Sequence, residues 1–114
     1  MNVMTFKHEN TTTICLEGEL DHHAAKPLLL RIMQIIDLDL PQNLVLDLNS
    51  LSFMDSSGIA VILQTFQRIK GTDGNFSVVN IPTHAFRIFR ASGLTRMIPM
   101  SERPAKNERR TQIR

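Results

Sequence analysis

The spacing of apolar residues along this chain changes several times, and each change marks an element. From Val3 to His8 the pattern alternates, with Met4, Phe6 and His8 on one side and Val3, Thr5 and Lys7 on the other, which predicts a strand. Glu9-Asn10 supplies a turn. Thr12 to Glu17 alternates again, setting Ile14 and Leu16 against Thr13, Cys15 and Glu17. Gly18 is expected to end this second strand, and the two strands are expected to pair as a hairpin. Ala25, Leu28, Leu29, Ile32, Met33 and Ile36 then recur at helical spacing. Pro27 lacks the N–H that a helix interior needs, so the helix is expected to start near Ala24, with Pro27 in its first turn, and to run to about Asp37.

Leu44 to Leu48 is mostly apolar on both faces, which predicts a central strand covered on both sides or nearly so. A helix from about Ser57 to Lys70 is expected to bury Ile59, Ile62, Leu63, Phe66 and Ile69, with Gly71 as its C-terminal cap. Thr72-Asp73-Gly74 is a turn and Phe76 to Asn80 a fourth strand. Pro82-Thr83 opens a third helix with Thr83 as cap and Ala85, Phe86 and Phe89 inward, and Ser92-Gly93 ends it. Met97 to Met100 fits a short last strand, which Pro99 confines to an edge. An opening hairpin followed by alternating strands and helices predicts an α/β fold. It should be a single domain, with a mixed β-sheet of four to five strands and about three helices packed on it.

Composition narrows this picture. The 114 residues suit one domain with one core. The formal net charge is +2, yet residues 101–114 alone carry a balance of +3 and the other residues −1. The expectation is therefore a domain over residues 1–100 and a basic tail without fixed structure over 101–114, in which Ile113 is the only strongly apolar side chain. Because the basic charge sits in the tail, the folded body gives no reason to expect direct nucleic-acid binding. The first residues lack a secretory signal, no stretch is long enough to span a bilayer, and the lone Cys15 suits a reducing compartment. A cytoplasmic protein with no membrane contact is expected.

The chemistry concentrates in Leu51-Ser52-Phe53-Met54-Asp55-Ser56-Ser57-Gly58. Here a strand gives way to a helix, and two hydroxyls stand beside a carboxylate. A helix start has N–H groups without partners and a partial positive charge, so it accepts a capping side chain or an anion. One serine as an ordinary cap and one serine as a phosphoacceptor are both compatible with that position, and spacing alone favours neither hydroxyl. A nucleophilic serine is disfavoured because the text is not G-x-S-x-G. His22-His23 cannot share a helix face, so no metal site is expected there. Cys15 reads as a small buried side chain, and Gly71 to Gly74 lacks the ending of a phosphate-binding loop. No catalytic residue and no cofactor are expected.

Gly18-Glu19-Leu20-Asp21-His22-His23, the stretch Leu51 to Gly58, and Ser92-Gly93-Leu94 together closely resemble the STAS-domain anti-sigma factor antagonists, over about residues 1–100. The resemblance implies a STAS-like domain and a partner-switching cycle. The unphosphorylated protein would bind an anti-sigma factor that is also a serine kinase, and so free the sigma factor. The kinase, using ATP and Mg²⁺, would phosphorylate Ser56, the phosphoprotein would let go, and a PP2C-type phosphatase would reset it. Asp21, Asp55, Ser57 and Gly58 match the positions around that serine. A second possibility is a STAS subunit of another assembly, a transport complex or signalling scaffold. The family usually closes with a further amphipathic helix, where this chain has Pro99, Pro104 and basic residues.

Overall fold

A computed structural model describes residues 1–104 of the chain. Its elements run β1 (Asn2–His8), β2 (Thr11–Leu20), α1 (His22–Asp39), β3 (Asn43–Met54), α2 (Ser57–Lys70), β4 (Asn75–Ile81), α3 (Thr83–Ala91), a short 3₁₀ turn (Leu94–Arg96) and β5 (Met100–Glu102). The five strands form one mixed sheet in the order β1-β2-β3-β4-β5. Only β1 is antiparallel to its neighbour, and β2 through β5 are parallel.

This order decides where the helices lie. Parallel strands joined by a helix cross over right-handedly. Here each crossover moves one strand further in the same direction, so α1, α2 and α3 all land on one face. Leu44, Leu46 and Leu48 of β3 point into that layer and are buried, as are Ile14 and Leu16 of β2 and Val78 of β4. Ile32, Ile36, Ile62, Ile69 and Phe89 meet them from the helices. The opposite face of the sheet stays open. The expectation that β3 is covered on both sides is therefore corrected. It is central, but Val45 and Asp47 on its other side are only half-buried.

Other departures have local causes. Helix α1 starts at His22, because the Asp21 carboxylate caps it by accepting from the N–H of His23 at 3.0 Å and of Ala24 at 2.9 Å. Pro27 is consequently deeper in the helix than expected. Gly18 does not end β2. It takes a φ of +119°, which side chains disfavour, and lets the strand pass two register shifts on its way to Leu20. Helix α2 turns a slightly different face inward than expected. Val61 and Thr65 are buried, while Ile59, Leu63 and Phe66 are half-buried. The Thr65 hydroxyl donates to the Val61 carbonyl at 2.7 Å, which satisfies it inside the core. Helix α3 has Pro82 at its N-cap position with no side-chain cap, so Thr83 does not serve, and Phe86 is only half-buried. The last strand begins at Met100 because Leu94–Arg96 forms a 3₁₀ turn and Ile98 is drawn into the core. Of the basic segment expected to lack fixed structure, residues 105–114 lie outside the described residues.

Candidate functional site

Parallel strands bring their C-terminal ends, and the helices that follow, to one edge of a sheet. Leu20 at the end of β2 pairs with Met54 at the end of β3, and the Asp55 N–H donates to the Leu20 carbonyl at 3.3 Å. The N-termini of α1 and α2 therefore open side by side. Asp21 stands at the mouth of one helix and Asp55-Ser56-Ser57 at the mouth of the other, so the structure brings together all the residues singled out in these two segments.

The two carboxylates do similar work. Asp21 caps α1, and Asp55 accepts from the Ser57 N–H at 2.8 Å at the start of α2. That bond is the main cause holding the Asp55 carboxyl below the usual carboxylate range, against an upward push from partial burial. The Ser57 hydroxyl and the N–H and charge of His22 add to the lowering. Asp55 thus stays ionised well below neutral pH. Neither serine acts as the helix cap. Ser56 holds the N-cap position in a helical conformation (φ −65°, ψ −14°) with no side-chain cap bond, and its side chain is exposed. Ser57 is half-buried with its N–H engaged by Asp55. The hydroxyl free at the surface is that of Ser56.

The N–H groups expected to welcome an anion are largely taken. Those of Ser57, Gly58 and Ile59 go to Asp55 and Ser56 oxygens, and those of His23, Ala24 and Ala25 to Asp21. A phosphate on Ser56 would join two carboxylates rather than fill a vacant cradle. The fold would tolerate it because the position is solvated, and the electrostatic change would be felt at the surface.

Gly58 fixes how tightly this corner closes. A Cβ there would lie 2.4 Å from Met54 Sδ and 3.2 Å from Leu20 Cδ2, both buried. Gly58→Ala is expected to cost about 1–2 kcal/mol by overpacking, limited by the flexibility of Met54. Urea unfolding would read this as a lower midpoint at unchanged slope.

Phe53 and His84 are functional candidates that pattern reading passed over. Phe53 leaves the end of β3 with 45% exposure and stacks on His84 at the start of α3, ring centroids 6.4 Å apart. An exposed aromatic pair flanking the serine loop is a ready contact for a protein partner. The signal was available in the odd spacing of Leu51, Phe53 and Met54, which leaves Phe53 outside while its neighbours Leu51 and Met54 are buried.

Known proteins share this fold. Residues 2–107 match the STAS domain. The anti-sigma F factor antagonist of Paenibacillus polymyxa is 32% identical over 93 residues, covering 82% of this chain and 80% of that protein. The anti-sigma-B factor antagonist of Bacillus subtilis is 29% identical over 108 residues, 95% of this chain and 94% of that protein. Among solved structures, an anti-sigma factor antagonist from Mycobacterium paratuberculosis superimposes with a TM-score of 0.78 at 24% identity, covering 97% of this chain and 92% of that one. SpoIIAA in its unphosphorylated form gives 0.67 at 23% identity, covering 98% and 97%. SpoIIAA in its phosphorylated form gives 0.68 at 25% identity, covering 99% and 100%. The fold built from one winding direction is the one these structures share, and the chain belongs to the STAS family.

Proposed function

We propose that this chain is an anti-sigma factor antagonist. Unphosphorylated, it binds an anti-sigma factor with serine kinase activity and so frees a sigma factor. Phosphorylation of Ser56 ends that binding, and a PP2C-type phosphatase restores it. The protein is a substrate in this cycle and holds no catalytic residue of its own. The kinase brings ATP and Mg²⁺, and the cycle runs in the bacterial cytoplasm. No helix among the described residues is long and apolar enough to cross a membrane.

One observation carries the reading. The Ser56 hydroxyl is exposed and uncommitted, on a loop held firmly from both sides. Asp55 and Gly58 fix that loop, Asp21 borders it, and Ser57 anchors it through its N–H. A kinase needs an accessible acceptor and a partner needs a preorganised surface, and this corner offers both. The names and folds of the relatives support the role, and SpoIIAA having a phosphorylated form supports the switch.

Incubation with the cognate kinase and ATP, followed by mass-spectrometric mapping, tests the acceptor. The expected result is one phosphate on Ser56 and none on Ser57. Ser56→Ala should bind the kinase with unchanged affinity and stay bound when ATP is added. Release of the Ala variant at the wild-type rate would reject the switch.

A further inference from the structure

The two edges of the sheet are built differently. β5 is three residues long and pairs with β4 through a register shift. Short and interrupted strands of that kind discourage pairing with another chain. β1 is seven residues long, pairs with β2 in an unbroken register and contains no proline. Its only fixed charge is Lys7. Among the described residues, no backbone group bonds to its outer side. Alternate N–H and C=O groups along that side are therefore available. Met4 and Phe6 flank the midpoint of β1 on the open face of the sheet, opposite Cys15 and Thr13 of β2, and each is 55% exposed. A long, regular edge with two apolar side chains standing beside it is a template for another strand.

The residues of β1 say which strand fits. When two identical strands pair antiparallel about a two-fold axis, opposed residues share a face, so the axis passes through a residue and not between two. An axis at Thr5 is the one that uses all seven residues. It sets Asn2 against the partner's His8, Val3 against the partner's Lys7, Met4 against the partner's Phe6, and Thr5 against the partner's Thr5. Aromatic–apolar and Thr–Thr pairs are favourable cross-strand neighbours, and no like charges oppose. Axes at Met4 or Phe6 pair fewer residues, and one at Lys7 opposes two ammonium groups. We propose that two copies of this chain join edge to edge through β1, antiparallel about Thr5, into one continuous sheet of ten strands. Helix α1 packs on β2, one strand in from this edge. The α1 helices of the two copies then lie three strand spacings apart, roughly 14 Å. Packed helices need only about 8–10 Å, so the helix layers do not collide. Thr5 pairs with Ile14, and Leu20 lies further along the same β2 beside the serine loop, so each Ser56 corner is roughly 20 Å along the strands from the axis. The antiparallel sense puts the two corners at opposite ends. Both stay open, which makes the pair bivalent towards a partner with two sites.

Pairing through one strand buries less than a standard interface, so the dimer should be mostly formed at roughly 100 μM and mostly dissociated at roughly 1 μM. Sedimentation equilibrium over that range would compare the wild type with three double variants, each checked for fold by circular dichroism. Met4→Lys with Phe6→Lys, and Met4→Glu with Phe6→Glu, oppose like charges twice across the axis and should weaken association by roughly tenfold or more. Met4→Lys with Phe6→Glu opposes unlike charges and should stay within roughly threefold of the wild type. Axes at Met4 or Phe6 would bring like charges together in all three variants, so retention by the mixed variant alone reports the axis at Thr5. Hydrogen exchange of the wild type gives a second reading that needs no substitution. The outward-facing amides of β1 should slow roughly fivefold between the two concentrations, as the free fraction falls. A wild type that stays monomeric at the higher concentration, or β1 amides that do not slow, would overturn the proposal. So would any other ranking of the variants, including association that survives like charges, which would place the contact elsewhere.

Discussion

Ser56→Asp is expected to weaken binding to the anti-sigma kinase by roughly a hundredfold, because an unpaired charge brought into an interface costs about 2–5 kcal/mol. The structure explains why the effect should fall on binding and spare the fold. Asp21 and Asp55 already occupy most of the N–H groups at the two helix mouths. A third carboxylate finds little compensation in its own chain and projects its charge outward. Asp55 remains ionised at neutral pH, since its Ser57 N–H partner lowers its proton affinity. The charges therefore add rather than one neutralising by protonation. Phosphate, with about −1.5 to −2 charges, should act more strongly than Asp. Titration calorimetry at two ionic strengths checks this. The deficit should shrink at high salt, and the circular dichroism should match the parent. An affinity within threefold of wild type at low salt, on a roughly half-kcal/mol scale, would show that charge at this position does not govern docking.

Much of this corner was legible in the chain. The doublet Ser56-Ser57 after Asp55, with Gly58 next, sits where strand pattern yields to helix pattern, and the structure puts that join at the end of β3. The assignment of labour among the residues was not legible. Pattern reading expects a serine to cap α2, but Ser56 enters the helix in a helical conformation and cannot aim its hydroxyl at its own first turn. Asp55, one residue earlier, is the group that reaches the Ser57 N–H. Sheet order was also hidden. A strand apolar on both sides suggests two covering layers, yet the number of layers depends on whether the winding reverses, and no local spacing encodes that. Val45 and Cys15 alternate with the buried Leu44, Leu46, Ile14 and Leu16, and lie half-buried on the open face. Gly18 misled for a related reason. Glycine serves equally to stop a strand and to let one bend, and only the pairing of Leu20 with Met54 shows that β2 continues.

Phe89→Ala is the change expected to cost the fold most, about 3–5 kcal/mol out of a typical domain stability of about 5–15 kcal/mol. Phe89 is fully buried and is among the largest side chains to be so. It carries no polar atom that water could reach, and its loss leaves a cavity between α3 and the sheet that the neighbouring Ala85 is too small to fill. Phe86, one turn earlier, marks the contrast. It is half-buried, with the Arg90 guanidinium 5.5 Å from its ring centre, and Phe86→Ala should cost less than half as much. For a domain of this size each kcal/mol shifts Tm by about 4–8 °C, so Phe89→Ala should melt at least roughly 12 °C lower. The variant separates two ways of losing a partner. Phe89→Ala should reduce binding only by reducing the folded fraction, so its affinity should recover on cooling away from the transition. Ser56→Asp should keep its Tm and remain deficient at every temperature. A Phe89→Ala protein that melts with the parent would mean that α3 is not part of the cooperative core. The His84 ring, and with it the aromatic edge beside Ser56, would then be carried by a helix free to move independently of the switch.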